Sequence, residues 1–145
     1  MPLFQIRRYH SMRIKYVCMM SAVLKYDLLR ATPRWRKTGP RYDCVLINGA
    51  SQPEFAKVYG LFSVRLSSAA YRIALIHRYR SMGRHTSSEY IELTDNGDFD
   101  FIFIDTIIRS VHILPPSTYN HHFTIHFTIQ DLQSPDIHLR LELLQ

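Results

Sequence analysis

The chain has 145 residues, a formal net charge of +6, 46% hydrophobic residues and 21% charged residues. This length and composition predict one globular domain with its own core and exclude a low-complexity chain. The two cysteines, Cys18 and Cys44, fit no C-x-x-C or cysteine–histidine pattern. We therefore expect free thiols in a reducing compartment rather than a disulfide framework or a zinc finger.

The positive charge is concentrated at the N-terminal end. Residues 1–42 hold ten lysines and arginines against one acid, hence +9, whereas residues 43–145 hold eight against eleven, hence −3. Such an asymmetry is typical of chains that bind nucleic acid or an anionic membrane, or that carry a targeting segment. The interpretation adopted is a basic N-terminal arm, residues 1–41, joined to a body, residues 42–145.

The arm has a helical pattern in its second half. Val17, Met20, Leu24 and Leu28 recur at spacings of three, four and four, which predicts a helix within 11–30 and thus a partly helical arm. The apolar run is too short to span a bilayer, so no membrane partner is expected. A helix or strand docked on the body is favoured over a mitochondrial presequence, which the arginine-rich composition also fits.

The segment Thr32–Pro40 contains two prolines and a glycine, which predict a loop. Within it an aromatic residue stands between cations, a pattern that suits phosphate contacts combined with stacking on an exposed base. The alternative is a connector whose tryptophan packs on the core. The candidate nucleic-acid-binding residues here are Arg34, Trp35, Arg36, Lys37 and Arg41.

The stretch Phe55–Arg80 predicts a central β-hairpin. Apolar residues alternate with polar ones in both halves, as they do along a half-buried strand. Folding the halves about residues 67–70 brings the apolar sets opposite one another, facing the core. The predicted pairs are Leu66 with Tyr71, Val64 with Ile73, and Phe62 with Leu75.

The same register places cations on the other face of the hairpin. Arg65 lies opposite Arg72, and like charges in that position are stabilised if an anion covers them. The alternative is an ordinary solvated face. The candidate anion contacts on this face are Lys57, Arg65, Arg72, Arg78 and Arg80.

Further short strands complete a mostly β domain, a small barrel or sandwich. Asn96-Gly97 is a strong hairpin signal between two of them. The predicted strands are Tyr42–Ile47, Glu89–Leu93, Phe99–Ile104, Ile107–Leu114, His122–Ile129 and Ile137–Leu143, with a short helix as the alternative for the last.

No pattern in the chain indicates a reaction. His122 and His126 share a strand face but lie about 13 Å apart, too far to chelate one metal ion. The acids around Asp95 lack the ligand positions of a calcium loop. The G-x-S-x-G, Walker and G-x-G-x-x-G motifs are absent. We therefore expect no catalytic residue, no metal site and no cofactor.

Several phrases resemble the C-terminal β-rich region of proteins from fungal DNA transposons, the Plavaka-like and Kyakuja-Dileera-Zisupton-like groups of basidiomycetes. They follow one another in the family's order over 26–141, most of the chain. The phrases are PRYDCVLIN (Pro40–Asn48), FAKVYGLFSV (Phe55–Val64), YRIALIHRYR (Tyr71–Arg80), FIDTIIRSVHILPP (Phe103–Pro116) and IQDLQSPDIHLRL (Ile129–Leu141).

The resemblance implies a detached accessory domain of a transposon protein, without the presumed nuclease core or the cysteine-rich zinc elements. It supplies no catalytic residues for this region. The architecture is also similar to small chromatin-associated barrels of the bromo-adjacent-homology type, an analogy of fold alone.

Three functions follow. The first is a non-catalytic nucleic-acid or chromatin-binding accessory domain, nuclear or cytoplasmic, with a mitochondrial location as the alternative. The second is a protein-interaction module that pairs a partner strand with an exposed edge, either His122–Ile129 or Ile137–Leu143. The third is a transposon relic without a selected function. An enzyme ranks below all three.

Overall fold

The computed structural model describes residues 4–18, 22–84, 90–95, 97–116, 123–126 and 138–144. These ranges are almost entirely strands, apart from a 3-10 turn at Ile104–Thr106, and this confirms the predicted mostly β class. In the same ranges no helix is long and apolar enough to cross a membrane. The strands are β1 Phe4–Tyr9, β2 Ser11–Cys18, β3 Val23–Trp35, β4 Gly39–Tyr42, β5 Cys44–Ile47, β6 Glu54–Leu66, β7 Ala69–Arg78, β8 Arg80–Arg84, β9 Tyr90–Thr94, β10 Phe99–Phe103, β11 Ile107–Val111, β12 Phe123–His126 and β13 His138–Leu144.

The main sheet is built around β6. Its order is β10-β7-β6-β5-β11, and β1 also pairs with β6. The register places β5 beside residues 54–57 and β1 beside residues 61–66, so two short strands share one edge of the long strand. All of these pairs are antiparallel.

The predicted hairpin is present as β6 and β7, but its predicted register is wrong. Leu66 pairs with Ala69, so the turn contains only Ser67 and Ser68, and Ser67 has φ 53°. A two-residue turn with a positive φ matches the twist of the flanking strands better than the four-residue loop that the pattern suggested. As a result Val64 pairs with Tyr71, and Phe62 with Ile73.

A β-bulge in β6 reverses which face of the hairpin is buried. The register shifts between Val58 and Gly60, leaving Tyr59 as the extra residue. Val58 and Leu61 are consequently both fully buried, although one is even-numbered and the other odd. The predicted inward set around Phe62 therefore lies on the opposite face of the sheet. The Phe62 ring lies over Gly60 and would have to move to admit a Cβ at that position.

A four-stranded sheet of order β13-β2-β3-β4 replaces the predicted helix within 11–30. Met12 and Ile14 on β2 are fully buried, as are Leu29 and Ala31 on β3. Alternation with a period of two decides the structure here, because each strand places one face on the core. Of the residues at helical spacing that the structure describes with their burial, Leu24 is exposed and Leu28 is only partly buried.

One core joins the first two sheets. Met12 and Leu29 from the N-terminal strands lie in the same buried cluster as Val45, Leu61 and Ile76 of the main sheet. The backbone connects the sheets as well, since the Asp43 N–H donates to the Arg30 carbonyl and the Asp43 carbonyl accepts from the Val58 N–H. Residues of the predicted basic arm thus contribute to the core of the β domain.

A three-stranded sheet of order β12-β9-β8 covers one end of the main sheet. Leu93 of β9 packs against Leu46 and Phe55 in a second buried cluster. Strands β9 and β10 therefore lie in different sheets, and the hairpin predicted from Asn96-Gly97 is wrong. Asn96 itself lies outside the described residues, as do residues 122, 127–129 and 137 of the last two predicted strands.

Candidate nucleic-acid interface

Three arginines surround the indole of Trp35. The guanidinium carbons of Arg30, Arg36 and Arg41 lie 4.3, 5.1 and 5.1 Å from a Trp35 ring centroid. These distances are within the range of cation–π attraction, and tryptophan is the aromatic residue that attracts cations most strongly. We call Arg30, Trp35, Arg36 and Arg41 the Trp35 cluster.

The cluster is held by the tip of the β3–β4 hairpin. Strand β3 ends at Trp35, which pairs with Gly39. The Trp35 carbonyl accepts hydrogen bonds from the Thr38 N–H, at 3.2 Å, and from Thr38 Oγ1, at 3.0 Å. Arg36 has φ 52°, so the chain reverses immediately after the ring. Arg34 and Lys37, also predicted from the sequence, are exposed at the same tip.

An irregularity in β3 brings Arg30 to the ring. Five residues separate Arg30 from Trp35, and strict alternation would place their side chains on opposite faces. The β3–β4 register shifts between Thr32 and Trp35, a segment that contains Pro33. This shift accounts for the contact between Arg30 and the Trp35 ring. Thr32 supports the irregularity, because its Oγ1 accepts a hydrogen bond from the Arg34 N–H at 3.2 Å.

One carboxylate contacts the cluster. Asp43 accepts a hydrogen bond from Arg41 Nε at 3.1 Å and another from the Arg30 backbone N–H at 2.8 Å. Among the described residues, no acidic side chain forms a salt bridge with Arg30 or Arg36. The cluster therefore retains a positive charge beside a half-buried indole.

The burial of Trp35 bears on the two functions predicted for the segment Thr32–Pro40, a nucleic-acid contact or a connector whose tryptophan packs on the core. Trp35 is only partly buried and belongs to neither buried cluster of the described residues. The alternative that its ring packs on the core is therefore not supported. Part of the indole is exposed at the hairpin tip, and three guanidinium groups lie over its ring.

The hairpin cations do not form the row that the sequence predicts. Arg65 pairs with Ala70 rather than Arg72, and Arg72 pairs with Ser63 and lies 3.7 Å from an Asp105 carboxylate oxygen. Because of the bulge, Lys57 lies on the opposite face of the sheet from Arg65 and Arg72.

Acids already neutralise one of these cations. Arg78 Nε lies 2.9 Å from a Glu54 oxygen and Arg78 Nη1 lies 2.7 Å from an Asp100 oxygen. The hydrogen bond from Arg78 holds the pKa of Asp100 below its ordinary value. Arg80 is exposed on β8, where it pairs with Thr94 of a different sheet. The structure thus groups Trp35, Arg36 and Arg41, adds Arg30 to them, and disperses the hairpin cations.

The environment of Cys44 does not resemble that of a catalytic thiol. Burial raises its pKa, and the Tyr79 hydroxyl, which shares a hydrogen bond with it, only partly opposes that effect. Reactive cysteines need the opposite shift, toward the thiolate. Burial likewise raises the pKa of Tyr79. In the described part of the chain, no cluster of three or more metal-ligating side chains is present.

A cleft of about 280 Å³ opens beside Arg78. Glu54, Phe55 and Asp98 are among the residues that line it. This volume lies at the lower limit for small-molecule sites. The Arg78 side chain at its wall is already paired with two carboxylates, so the cleft is a weaker candidate than the Trp35 cluster.

Comparisons of this chain with protein-family models, with curated proteins and with solved structures give no match.

Proposed function

We propose that this protein is a non-catalytic nucleic-acid-binding accessory domain that acts through the Trp35 cluster. The observation that carries the proposal is the placement of three guanidinium groups within 5.1 Å of one partly buried indole. Guanidinium groups bind phosphate oxygens in a bidentate manner, and an indole provides a surface for stacking a base. Together they suit a nucleotide whose base is unpaired.

The shape of the site favours flexible single-stranded nucleic acid over the interior of a duplex. Arg34, Arg36 and Lys37 are exposed to solvent at the β3–β4 hairpin tip. Contacts with phosphates position a protein without reading sequence, so weak sequence specificity is expected. Stacking requires an exposed base, so single strands or frayed ends should bind more tightly than an intact duplex.

The charge distribution and the transposon resemblance agree with this proposal. Residues 1–42 carry a net charge of +9, which increases the rate of encounter with any polyanion. An accessory domain derived from a transposon protein, in a barrel or sandwich of the bromo-adjacent-homology type, would act on nucleic acid or chromatin in the nucleus or cytoplasm. The proposed activity needs no cofactor.

The test is fluorescence anisotropy of a labelled single strand and a labelled duplex, titrated with the protein at several salt concentrations. We expect micromolar dissociation constants at low salt and a log-linear loss of affinity as salt rises. Arg36→Glu should weaken binding about tenfold or more. It should also reduce the slope of log affinity against log salt concentration by about one or two.

Lys25→Glu is the matched control, because it changes the net charge equally at an exposed position of β3, the strand that ends at Trp35. It lies ten residues before Trp35, about 33 Å away along an extended strand. Equal losses for the two variants would mean that net charge alone drives binding. That result, or no binding at low salt, overturns the proposal.

A second candidate function has one supporting observation. Strands β12 and β13, the predicted pairing edges, are each terminal in the strand order of their sheets. A terminal strand can add a partner strand through main-chain hydrogen bonds. Binding of that kind should depend little on salt, so the same titration with a protein ligand separates it from the first candidate.

A further inference from the structure

The main sheet is apolar on both faces. One face packs on the core through Leu61, Ala74 and Ile76, which are fully buried. The opposite face, which we call the aromatic face, presents Phe4, Ile6, Tyr71, Phe99, Phe101 and Phe103, with exposures between 42% and 63%. An antiparallel sheet with one free side normally shows polar residues there. The aromatic face departs from that pattern and indicates a partner.

The aromatic face forms regular rows across four strands. In one row Arg8 of β1 pairs with Phe62, Phe62 with Ile73, and Ile73 with Phe103 of β10. The next row runs from Ile6 through Val64 to Tyr71. Contacts between rings tie the face together, with Tyr71 and Phe103 centroids 6.4 Å apart.

The exposed aromatic surface alone amounts to more than half of the area that one partner contributes to a standard interface. Five half-exposed aromatic side chains leave on the order of 500 Å² of ring surface in solvent, before the aliphatic residues are added. That value reaches the upper part of the range, about 300–600 Å², found for the largest apolar patch on a typical monomer. A standard protein interface buries about 800 Å² on each partner.

The chemistry of the aromatic face favours protein over nucleic acid. Ile6, Val64 and Ile73 offer no π surface for a base. Large side chains of this kind pack well against a second sheet, as they do inside a β-sandwich.

The rows are self-complementary under a two-fold axis. If the axis lies parallel to the strands, between β6 and β7, it places β1 of one copy over β10 of the other. Arg8 would then face the partner's Phe103, and Phe62 the partner's Ile73. Arg8 already lies 6.0 Å from the Phe62 centroid, and its Nη2 donates to the Tyr59 carbonyl at 3.4 Å. A second ring would complete a cation–π contact in each half of the interface.

We propose that two copies of this chain associate through their aromatic faces and form a face-to-face sheet dimer. This inference is independent of the Trp35 cluster. The test is sedimentation velocity of the full chain over a wide range of concentrations. We expect a monomer–dimer equilibrium that shifts toward monomer by at least about 30-fold in dissociation constant for Phe101→Glu.

Leu24→Glu is the matched control, because Leu24 is an exposed leucine on a different sheet, the β2–β3 hairpin. It should leave the dimer intact. Circular dichroism spectra of both variants should match that of the original chain, since neither position is in the core.

A pair of substitutions with opposite charges, one on β1 and one on β10, tests the two-fold arrangement. Arg8→Glu and Phe103→Lys should each weaken the dimer, and the double variant should recover part of the loss. Within one chain, β1 and β10 are separated by three strand spacings, about 14 Å, so recovery can arise only between copies.

Two results would overturn the inference. The first is a monomer at every concentration; if such a monomer also loses binding to a single-stranded oligonucleotide in Phe101→Glu, the aromatic face is a stacking surface instead. The second is a dimer that survives Phe101→Glu, since another surface would then hold it.

Discussion

Leu61→Ala is expected to lower the free energy of unfolding by about 3 kcal/mol, within the 2–5 kcal/mol usual for buried leucines. Leu61 is fully buried in the cluster that joins two sheets. Its removal leaves a cavity among Val58, Ala74 and Ile76, which belong to the same cluster. Urea unfolding followed by circular dichroism measures the change in midpoint and slope.

Leu66→Ala in the same strand is the matched comparison. Leu66 is 45% exposed, so the loss should be below about 1 kcal/mol. The alternation in the sequence predicts the reverse, with Leu66 inward and Leu61 outward. A larger loss for Leu66 than for Leu61 would therefore show that the bulge at Tyr59 is absent.

Asp43→Ala is expected to cost about 2–3 kcal/mol of stability. The Asp43 carboxylate accepts a hydrogen bond from the Arg30 N–H, and the Asp43 N–H donates to the Arg30 carbonyl. The Asp43 carbonyl accepts from the Val58 N–H, so this residue links β3 to β6. An orphaned, partly buried N–H costs about 1–3 kcal/mol. The contact with Arg41 adds less, since 41% of that side chain is exposed and water screens the pair.

Asp43→Asn separates the structural role of Asp43 from its charge. The amide oxygen can still accept the Arg30 N–H, so the loss of stability should be about 1 kcal/mol or less. Among the described residues, Asp43 has the only carboxylate that contacts the Trp35 cluster. Its removal should raise the affinity for single-stranded nucleic acid several-fold at low salt. Equal destabilisation by Asn and Ala, or a lower affinity for the Asn variant, would contradict this account.

Much of the main sheet could be predicted from the sequence. Alternation of apolar residues located β6 and β7, and the mostly β class followed from the number of such segments. The turn length and the bulge could not be predicted, because a positive φ at Ser67 and an extra residue at Tyr59 leave no sign in a pattern of period two. Together they shifted the register and exchanged the faces.

The N-terminal strands show how two periodicities can coexist in one segment. Val17, Met20, Leu24 and Leu28 fit a helix by spacing, yet Leu24 is exposed, and the buried residues described on β2 and β3 include Met12, Ile14, Leu29 and Ala31. Tertiary pairing with β13 and β4 decides the outcome, since a strand buries its face only when a sheet forms. No local signal in the sequence reveals those distant partners.

The candidate site was predictable in part. Of the cations next to Trp35 in the sequence, Arg36 lies over its ring, and Arg41, also predicted, lies there too. Arg30 and Asp43 were missed, because the contact of Arg30 depends on the irregularity beside Pro33 and that of Asp43 on the pairing of β3 with the β4–β5 segment. A tryptophan between cations with a proline two residues before it was the available signal.

The central claim is tested most directly by the emission of Trp35, the single tryptophan of the chain. Titration with a single-stranded oligonucleotide should quench this emission, and added salt should restore it in step with the anisotropy of a labelled strand. Heparin, a polyanion without bases, should bind at low salt with much less quenching. If the oligonucleotide binds while Trp35 emission stays unchanged, or if neither polyanion binds at low salt, the Trp35 cluster is not a nucleic-acid site.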